Sequence, residues 1–409
     1  MNDRIISLDL LTFKGFPLFE FKYSFDKNLS VYPKGSFYNM FFFLSEPAKT
    51  FRWCAKKNEM AKCSDFVKAL PKIANLTGVD IDPKCVEVTD EEDCMKKIKA
   101  NDADFITLNS KKVYTAGKSY DLVPIVAENT GTSLGYYAVA VAKKDTNITM
   151  NNLKGKKTCH TGYGRNAGWN VPIGYLLEKS DFRSGCGSQI DLKSASKYFS
   201  QSCVPGVPAG YDNLCAICRE KNCKAEKNEY ANAFNVTFRC MDAGDGDVAF
   251  VKHLTTAAVV GSNMTQNYKY LCTNGKSEVV TAKSHENCNL GFSPSHTVVT
   301  RSGDNADYVK ILLKAAVVCQ PNTAAAMCSG FLIFDSKKYN GKNLLFKDST
   351  KSLHNVGADK NTYKKWLGDG YWKAMDALFK PGPACASSVI FTSYPSLVTT
   401  MLVLAKALL

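Results

Sequence analysis

Cysteine content constrains the fold of this 409-residue chain more than any other feature, because the sequence contains sixteen cysteines. That number is even and is high for a cytosolic protein of this size, so disulfides formed in an oxidising compartment explain it best. Passage through a secretory pathway agrees with the Asn-X-Ser/Thr sequons, which begin at Asn28, Asn75, Asn147, Asn235 and Asn263. The sequence therefore predicts a secreted globular protein held together by disulfides.

The most compact cysteine cluster has two interpretations. It comprises Cys203, Cys215, Cys218 and Cys223, and it contains a single C-x₂-C pair. A structural zinc site usually shows two such pairs or a Cys₂His₂ set. Two local disulfides are therefore favoured over zinc.

Charge and size exclude other classes of protein. Lys+Arg number 52 against 38 Asp+Glu, giving a net charge of +14, but the basic residues are scattered and form no sustained block. We read this charge as a solvated surface that attracts anions, and we expect no nucleic-acid partner. The length allows two to three compact units.

Both ends of the chain depart from an ordinary globular pattern. Residues 1–49 form an atypical N-terminal extension without the ordered regions of a signal peptide, which leaves a missing N-terminus or an imperfect gene model as explanations. Residues 386–409 form an apolar C-terminal tail, in which small residues precede the run Leu397–Leu409. This layout fits a cleaved lipid-anchor signal, with a terminal core helix or a mis-predicted exon as alternatives.

Between these ends, strand and helix patterns alternate. Apolar spacing predicts helices over 57–73, ending at Pro71, over 91–102 with Thr89 or Asp90 as N-cap, and over 307–319 and 362–379. Short apolar or β-branched runs predict buried strands over 104–110, 136–144, 246–253 and 295–302. Such alternation indicates an α/β architecture with helices covering the sheets.

The segment CHTGYGRNAGWNVPIG, residues 159–174, places Thr161 and Arg165 among three glycines before a predicted helix start. Glycines let backbone N–H groups approach a ligand, a helix N-terminus favours negative charge, and arginine adds a forked cation. The segment predicts an anion cradle, and a Gly-rich turn with an incidental arginine is the alternative.

This segment also carries a resemblance to a known family. Together with FRWCAKKNEMAKCSDF, GDGDVAFVKH, FSPSHTVVTRS, KNLLFKDST and NTYKKWLGDGYWKAMDAL, it resembles one lobe of the transferrin family, in the same order. The resemblance runs from about Phe51 to Cys385. The C-terminal tail makes the lipid-anchored melanotransferrin branch the nearest comparison.

The resemblance implies a two-subdomain lobe, similar to periplasmic binding proteins, with mixed sheets flanked by helices and a hinged cleft. The first subdomain would be discontinuous, with residues 50–134 and 294–385, and the second would comprise residues 135–293. Hinge strands are expected near Gly135–Ala142 and Leu290–Val299. The implied disulfides are Cys54–Cys94, Cys63–Cys85, Cys159–Cys240, Cys272–Cys288, Cys203–Cys218, Cys215–Cys223 and Cys186–Cys385, with Cys319–Cys328 as an eighth pair and no free thiol.

The family binds ferric iron with carbonate, which sets expectations for single residues. The carbonate site would comprise Thr161, Arg165 and the backbone N–H groups of Ala167 and Gly168, all of which match the family pattern. A full family site also supplies a carboxylate, two phenolates and an imidazole to the metal, and ionising a phenol makes that binding acid-sensitive.

The metal ligands match less well. Tyr136 falls on one phenolate position and His296 on the imidazole position. The aspartate position holds Asn109 and the second phenolate position holds Phe234, although Tyr230 would supply a phenolate if the loop register slipped. For Phe234 we favour a core aromatic, and Tyr136 and His296 would then persist as ligands or as buried, hydrogen-bonded residues.

A lysine pair completes the implied site. Lys252 and Lys347 fall where some family lobes hold two lysines facing each other across the closed cleft, and burial and a like charge both lower a lysine pKa. Acid would recharge such a pair and favour opening of the cleft.

We therefore expect an extracellular transferrin-like lobe that binds carbonate and, weakly or not at all, ferric iron. The alternative is a non-iron-binding cell-surface scaffold derived from a transferrin lobe. We expect no enzyme activity, because no triad or nucleophile motif is present. Carbonate or bicarbonate is the expected partner, ferric iron and a cell-surface receptor are left open, and membrane association would occur only through a lipid anchor.

Overall fold

The structure is a computed structural model, and it describes residues 48–131, 133–219, 223 and 233–380. Most of the predicted N-terminal extension and the whole C-terminal tail lie outside the described residues. So do three residues on which single predictions depend: Asn28, Tyr230 and Cys385.

Thirteen strands are described, and most are short. They are β1 Lys49–Lys56, β2 Ile81–Val88, β3 Ile106–Leu108, β4 Val123–Asn129, β5 Gly135–Lys143, β6 Lys157–His160, β7 Gln201–Cys203, β8 Val248–Lys252, β9 Tyr268–Leu271, β10 Ser277–Val279, β11 Gly291–Pro294, β12 Thr297–Thr300 and β13 Ser352–Asn355.

Twelve α-helices accompany these strands in the described part of the chain. They are α1 Met60–Asn75, α2 Glu91–Lys99, α3 Ser110–Tyr120, α4 Val171–Leu177, α5 Ile190–Tyr198, α6 Ala233–Asp242, α7 Thr255–Val260, α8 Ser284–Asn287, α9 Ala306–Val318, α10 Ala324–Met327, α11 Tyr363–Leu367 and α12 Asp369–Phe379. None of the described helices is long and apolar enough to cross a bilayer.

The strands form two main sheets. A seven-stranded sheet has the order β10-β9-β5-β8-β6-β7, with β11 also paired to β5, and a four-stranded sheet has the order β13-β4-β12-β3. Strand β6 pairs in parallel with β7 and β8, whereas β5 pairs antiparallel with its neighbours, so the larger sheet is mixed. A parallel pair, β1 and β2, continues the smaller sheet through a bridge between Trp53 and Phe105. The predicted α/β fold with mixed sheets is confirmed.

The chain passes between the two sheets at two adjacent crossings. It leaves the four-stranded sheet after β4 and enters the seven-stranded sheet at β5, and it returns from β11 to β12. The crossings are tied together, since the Ser295 N–H donates to the Leu134 carbonyl at 2.7 Å and the Glu128 N–H donates to the His296 carbonyl at 2.8 Å. The two stretches expected to act as hinge strands therefore lie side by side. The subdomain boundaries drawn from them stay a prediction.

Helix α2 ends at Lys99, three residues before the predicted end, and larger differences occur at a proline and at a glycine. Helix α1 continues through Pro71 to Asn75, although proline has no N–H to donate to the preceding turn. The proline ring is exposed, while Leu70 and Ile73 on the same helix are fully buried, so packing holds the helix across the missing bond. The single helix predicted over 362–379 is instead two, α11 and α12, broken where Gly368 has φ of 71°.

Disulfide pairing agrees with the family pattern wherever it is described. Cys186 is disulfide-bonded, but its expected partner Cys385 lies outside the described residues, where the predicted pair stays a prediction. No described cysteine is free. The cysteine cluster at 203–223 forms two local disulfides, as predicted in preference to zinc. The seven predicted bridges that are confirmed are Cys54–Cys94, Cys63–Cys85, Cys159–Cys240, Cys203–Cys218, Cys215–Cys223, Cys272–Cys288 and Cys319–Cys328.

Candidate anion and metal site

The segment from Thr161 to Gly168, which we call the anion cradle, follows β6 directly. After His160 the chain turns through Gly162 and Gly164, both with positive φ, and enters a wide π-type turn, Asn166–Asn170, that leads into α4. The first amide groups of a helix have no intrahelical acceptor. The N–H groups of Ala167 and Gly168 lie in that first turn, so they are available to an anion.

Thr161 has an unused hydroxyl in this cradle. The residue is 2% exposed, and its Oγ1 has no hydrogen-bond partner among the described residues. A buried hydroxyl without a partner costs about 1–3 kcal/mol, so such groups normally face a ligand or a water. Thr161 and Arg165 both line a small cavity of about 30 Å³, which exceeds the ~10–15 Å³ that one water needs. The donors present therefore fit a small anion.

Gly168 is required by close packing in the cradle. A Cβ at this position would lie 2.0 Å from the Thr161 Oγ1 and 2.5 Å from the Thr161 backbone nitrogen. Both distances are far below van der Waals contact, and the backbone atom cannot rotate away. Only glycine lets the first turn of the helix approach Thr161 this closely.

The buried His160 forms a hydrogen bond with the backbone of Gly168. Its Nδ1 lies 2.7 Å from the Gly168 carbonyl, which can only accept, so Nδ1 carries the proton. Its Nε2 lies 2.8 Å from the Thr158 hydroxyl and therefore accepts. Complete burial lowers the pKa of His160 to about 4, which outweighs the opposing effect of the Gly168 hydrogen bond. The imidazole is neutral at physiological pH.

A second cavity, which we call the cleft, lies at the two strand crossings. Its volume is about 190 Å³. It brings together five residues that the sequence predicted for the metal site and the lysine pair: Asn109, Tyr136, Lys252, His296 and Lys347. Consecutive residues Arg165 and Asn166 line the small cavity and the cleft respectively. Their roles in binding stay a prediction.

Asn109, at the aspartate position, already has a structural role. It is the N-cap of α3, and its side-chain Oδ1 accepts a hydrogen bond from the Lys112 N–H at 3.1 Å. Asparagine is among the best N-cap residues, because its oxygen satisfies an amide that the helix leaves free. The amide is neutral, so it offers a metal ion no negative charge.

Phe234, at the second phenolate position, packs into the same region from α6. Its ring lies 6.5 Å from the Tyr136 ring in an edge-to-face arrangement, and the Lys252 Nζ lies 4.8 Å from its centroid. This is the geometry of a cation–π contact, which attracts an ammonium group to the face of the ring. The position therefore holds a positive charge beside an apolar ring instead of a phenolate.

The two remaining candidate ligands are held in uncharged forms. Burial raises the pKa of Tyr136, although the Ser293 and Asn166 side chains oppose this shift by contacting its hydroxyl. Burial and the nearby Lys347 charge lower the pKa of His296 to about 3. At neutral pH the cleft thus presents a neutral phenol and a neutral imidazole.

Two buried residues near the cleft were missed by sequence reasoning. Glu128 lies near the end of β4 and is 1% exposed, and its carboxylate accepts from the Thr350 hydroxyl at 2.8 Å and from the Lys347 N–H at 3.2 Å. A lone acid after the apolar run PIVA was a visible signal. Tyr371 on α12 is fully buried, and burial raises its pKa well above the ordinary value. Its place near Tyr136 could not be read from sequence, because the two residues are remote along the chain.

The donor set does not match what ferric iron prefers. Among the described residues, no group of three or more His, Cys, Asp or Glu could hold a metal ion. A hard, highly charged cation favours anionic oxygen ligands, and among the described residues that line the cleft only Tyr136 is able to become one.

The two sheets, the paired crossings and the cleft beside them define a mixed α/β lobe. The family model described as Transferrin matches residues 51–380, so the chain belongs to the transferrin family. It is 38% identical over 348 residues to melanotransferrin of Oryctolagus cuniculus and 36% identical over 348 residues to that of Homo sapiens. It is 36% identical over 344 residues to serotransferrin of Oryzias latipes.

These matches cover 80%, 80% and 82% of this chain, but 45% of each relative. The chain therefore matches less than half the length of these relatives, consistent with a single transferrin lobe.

Proposed function

We propose that this chain is an extracellular transferrin-type lobe that binds carbonate in its anion cradle and binds ferric iron weakly or not at all. One observation carries the second half of this proposal. At the two positions where the family supplies a carboxylate and a phenolate, Asn109 caps a helix and Phe234 lies against the Lys252 ammonium.

The expected loss of affinity follows from charge. Removing ferric iron from water costs a large desolvation free energy, which anionic ligands must offset. In this chain, neutral groups replace two of the family's three anionic protein ligands. The Lys252 charge near the ring adds repulsion toward a cation. Each 1.4 kcal/mol of lost ligand energy lowers the affinity about tenfold, so a loss of several kcal/mol lowers the iron affinity by about a hundredfold or more.

Carbonate binding has more support from the contacts. The Thr161 hydroxyl, which has no partner among the described residues, the first-turn amides of Ala167 and Gly168 and the Arg165 side chain all match the family's anion site. The closest packing in the segment, between Gly168 and Thr161, serves this same arrangement. We propose that closure of residues 50–134 and 294–385 against residues 135–293, at the paired strand crossings, covers the bound anion.

An extracellular location is part of the same proposal. Seven disulfides are stable only in an oxidising compartment. The four sequon asparagines in the described part, Asn75, Asn147, Asn235 and Asn263, are all exposed, so an attached glycan would meet no steric obstacle at their side chains. We propose a binding role, with receptor contact as in other family members, rather than catalysis.

The test is a ferric titration of metal-stripped protein in bicarbonate buffer at neutral pH. Coordination by a phenolate produces a visible charge-transfer band. We expect a weak band or none from the wild type, and a strong band from the double variant Asn109→Asp/Phe234→Tyr, which restores the two missing anionic ligands. The restored band should fade below about pH 5 as the ligands regain protons.

A matched control applies the same two chemical changes away from the cleft. Asn361 and Phe379 are both exposed, so Asn361→Asp/Phe379→Tyr should titrate like the wild type. A wild-type band as strong as that of the double variant would overturn the proposal of weak iron binding. No band in either protein would show that the site residues are wrongly assigned and would favour the scaffold function.

A further inference from the structure

The four sequons in the described part of the chain differ in the residue that lies between the asparagine and the threonine. In three of them this middle residue is apolar and exposed: Leu76 is 49% exposed, Val236 is 46% exposed and Met264 is 50% exposed. The described residues include eight exposed large hydrophobic side chains, so these three are a substantial share of them. Because only four middle positions exist in the described part, this overlap links the sequons to the apolar surface.

The asparagine of each of these three sequons is accessible. Asn75 is the last residue of α1, Asn235 lies in the first turn of α6, and Asn263 lies in the 3₁₀ helix Ser262–Asn267. All three are exposed, and their side chains make no hydrogen bond to any described residue. Attaching a group to their amide nitrogens would therefore break no contact of the described fold.

The threonine of each of these sequons is buried instead. Its hydroxyl donates to the backbone carbonyl three or four residues earlier, at 2.7 Å for Thr77 and Thr237 and at 3.0 Å for Thr265. These hydrogen bonds fix the threonine against its own helical turn. The asparagine and the apolar residue that precede it are left together on the solvent side of that turn.

The fourth described sequon provides a contrast. Asn147 is exposed, but the next residue, Ile148, is only 5% exposed and packs in the hydrophobic core. A glycan on Asn147 would therefore cover no large apolar side chain of its own sequon.

We propose that Asn75, Asn235 and Asn263 carry N-linked glycans, and that each glycan covers the exposed apolar side chain that follows it. Successive Cα atoms are about 3.8 Å apart, so a glycan begins beside that side chain, and its bulk and polarity separate the apolar group from other molecules.

The modification needs a donor that the secretory pathway supplies, an oligosaccharide linked to a lipid diphosphate. The asparagine Nδ2 bonds to C1 of the sugar, the bond from C1 to the diphosphate oxygen breaks, and one amide proton passes to the released lipid diphosphate. The inference therefore rests on the extracellular location that is part of the proposed function.

Site occupancy is tested on the full chain secreted by eukaryotic cells. Enzymatic release of N-glycans in heavy-oxygen water converts each modified asparagine into a labelled aspartate, which peptide mass spectrometry locates. We expect the label at Asn75, Asn235 and Asn263. An unlabelled asparagine among these three would overturn the proposal for that site.

The covering role is tested by hydrophobic-interaction chromatography of paired variants. Asn75→Gln removes the glycan and should shift the protein to later elution, and adding Leu76→Ser should reverse most of that shift. Leu76→Ser alone should change elution little, because the glycan already covers this side chain. Asn147→Gln is the matched control, since the residue beside it is buried, and it should shift elution less. Equal shifts for Asn75→Gln and Asn147→Gln, without reversal by Leu76→Ser, would overturn the covering role.

Bicarbonate titration of the same secreted protein separates this inference from the proposed function. Bicarbonate binding by protein without glycans at the three sites would overturn the inference and keep the carbonate-binding function. Glycosylated protein that binds no bicarbonate would overturn that function and keep the inference. Protein that stays inside the cell without any glycan would overturn both the inference and the proposed location. Near-ultraviolet circular dichroism verifies that each variant is folded.

Discussion

The anion cradle and the metal side of the cleft differ in how many of the residues expected from the family they contain. The metal side comprises the positions of Asn109, Tyr136, Phe234 and His296. In the cradle each donor expected from the family is present, and Gly168 approaches Thr161 more closely than any other residue could. On the metal side, two of four positions carry neutral groups with other structural contacts. The cradle is built from close backbone packing that belongs to the fold, whereas the metal positions depend on single side chains, two of which make other contacts here.

The largest effect is expected where the cradle leaves no room. Gly168→Ala places a Cβ against the Thr161 backbone, so the first turn of the helix must shift away. We expect bicarbonate affinity to fall at least about a hundredfold and the free energy of unfolding to fall by about 3 kcal/mol. Calorimetric bicarbonate titration and urea unfolding measure the two quantities. Wild-type values for both would show that the cradle is not the packed unit described above.

Acid should destabilise the cradle through His160. Its pKa is about 4 in the folded protein against 6.5 in the unfolded chain, so the unfolded chain binds more protons between these values. Stability is therefore full above pH 6.5 and is lost as the pH falls toward 4. Between pH 7 and pH 5 the free energy of unfolding should fall by about 2 kcal/mol from this group. Urea unfolding at both values should show a smaller fall for His160→Gln; an equal fall would contradict the assignment.

Removing one hydroxyl tests the cradle without a steric change. Thr161→Val keeps the shape of the side chain but removes Oγ1. Bicarbonate affinity should fall about tenfold, because one donor is lost. Without bicarbonate the variant should be slightly more stable than the wild type, since a buried hydroxyl without a described partner is removed. Unchanged affinity would mean that the hydroxyl does not face the anion.

The smallest effect is expected on the metal side. Asn109→Ala removes the N-cap of α3 and should lower the free energy of unfolding by about 1 kcal/mol. Asn109→Asp keeps a capping oxygen and should be as stable as the wild type. Ferric titration of Asn109→Ala should match that of the wild type, whereas a weaker iron response would show that the amide is a ligand after all.

Much of the fold could be predicted from sequence, because its signals are local or belong to the family pattern. Asp90 caps α2 as one of two predicted candidates, accepting from the Glu92 and Asp93 amides. The disulfide partners followed from resemblance, since spacing alone cannot pair sixteen cysteines. Local signals gave a wrong helix end at Pro71, because buried neighbouring residues keep the helix continuous across the proline. They also predicted one helix over 362–379, where Gly368 separates two.

The sequence was sufficient to identify the cradle motif and to show that Asn109 and Phe234 replace charged ligands, because both are statements about residue identity. It did not reveal that Asn109 caps a helix or that Lys252 lies over Phe234. Nor did it reveal that the Glu128 carboxylate accepts hydrogen bonds from Lys347 and Thr350. Those facts depend on strand crossings that bring distant segments together. The charge balance of the cleft is a property of that assembly, since the interaction between charges depends on their distance and burial rather than on their order in the chain.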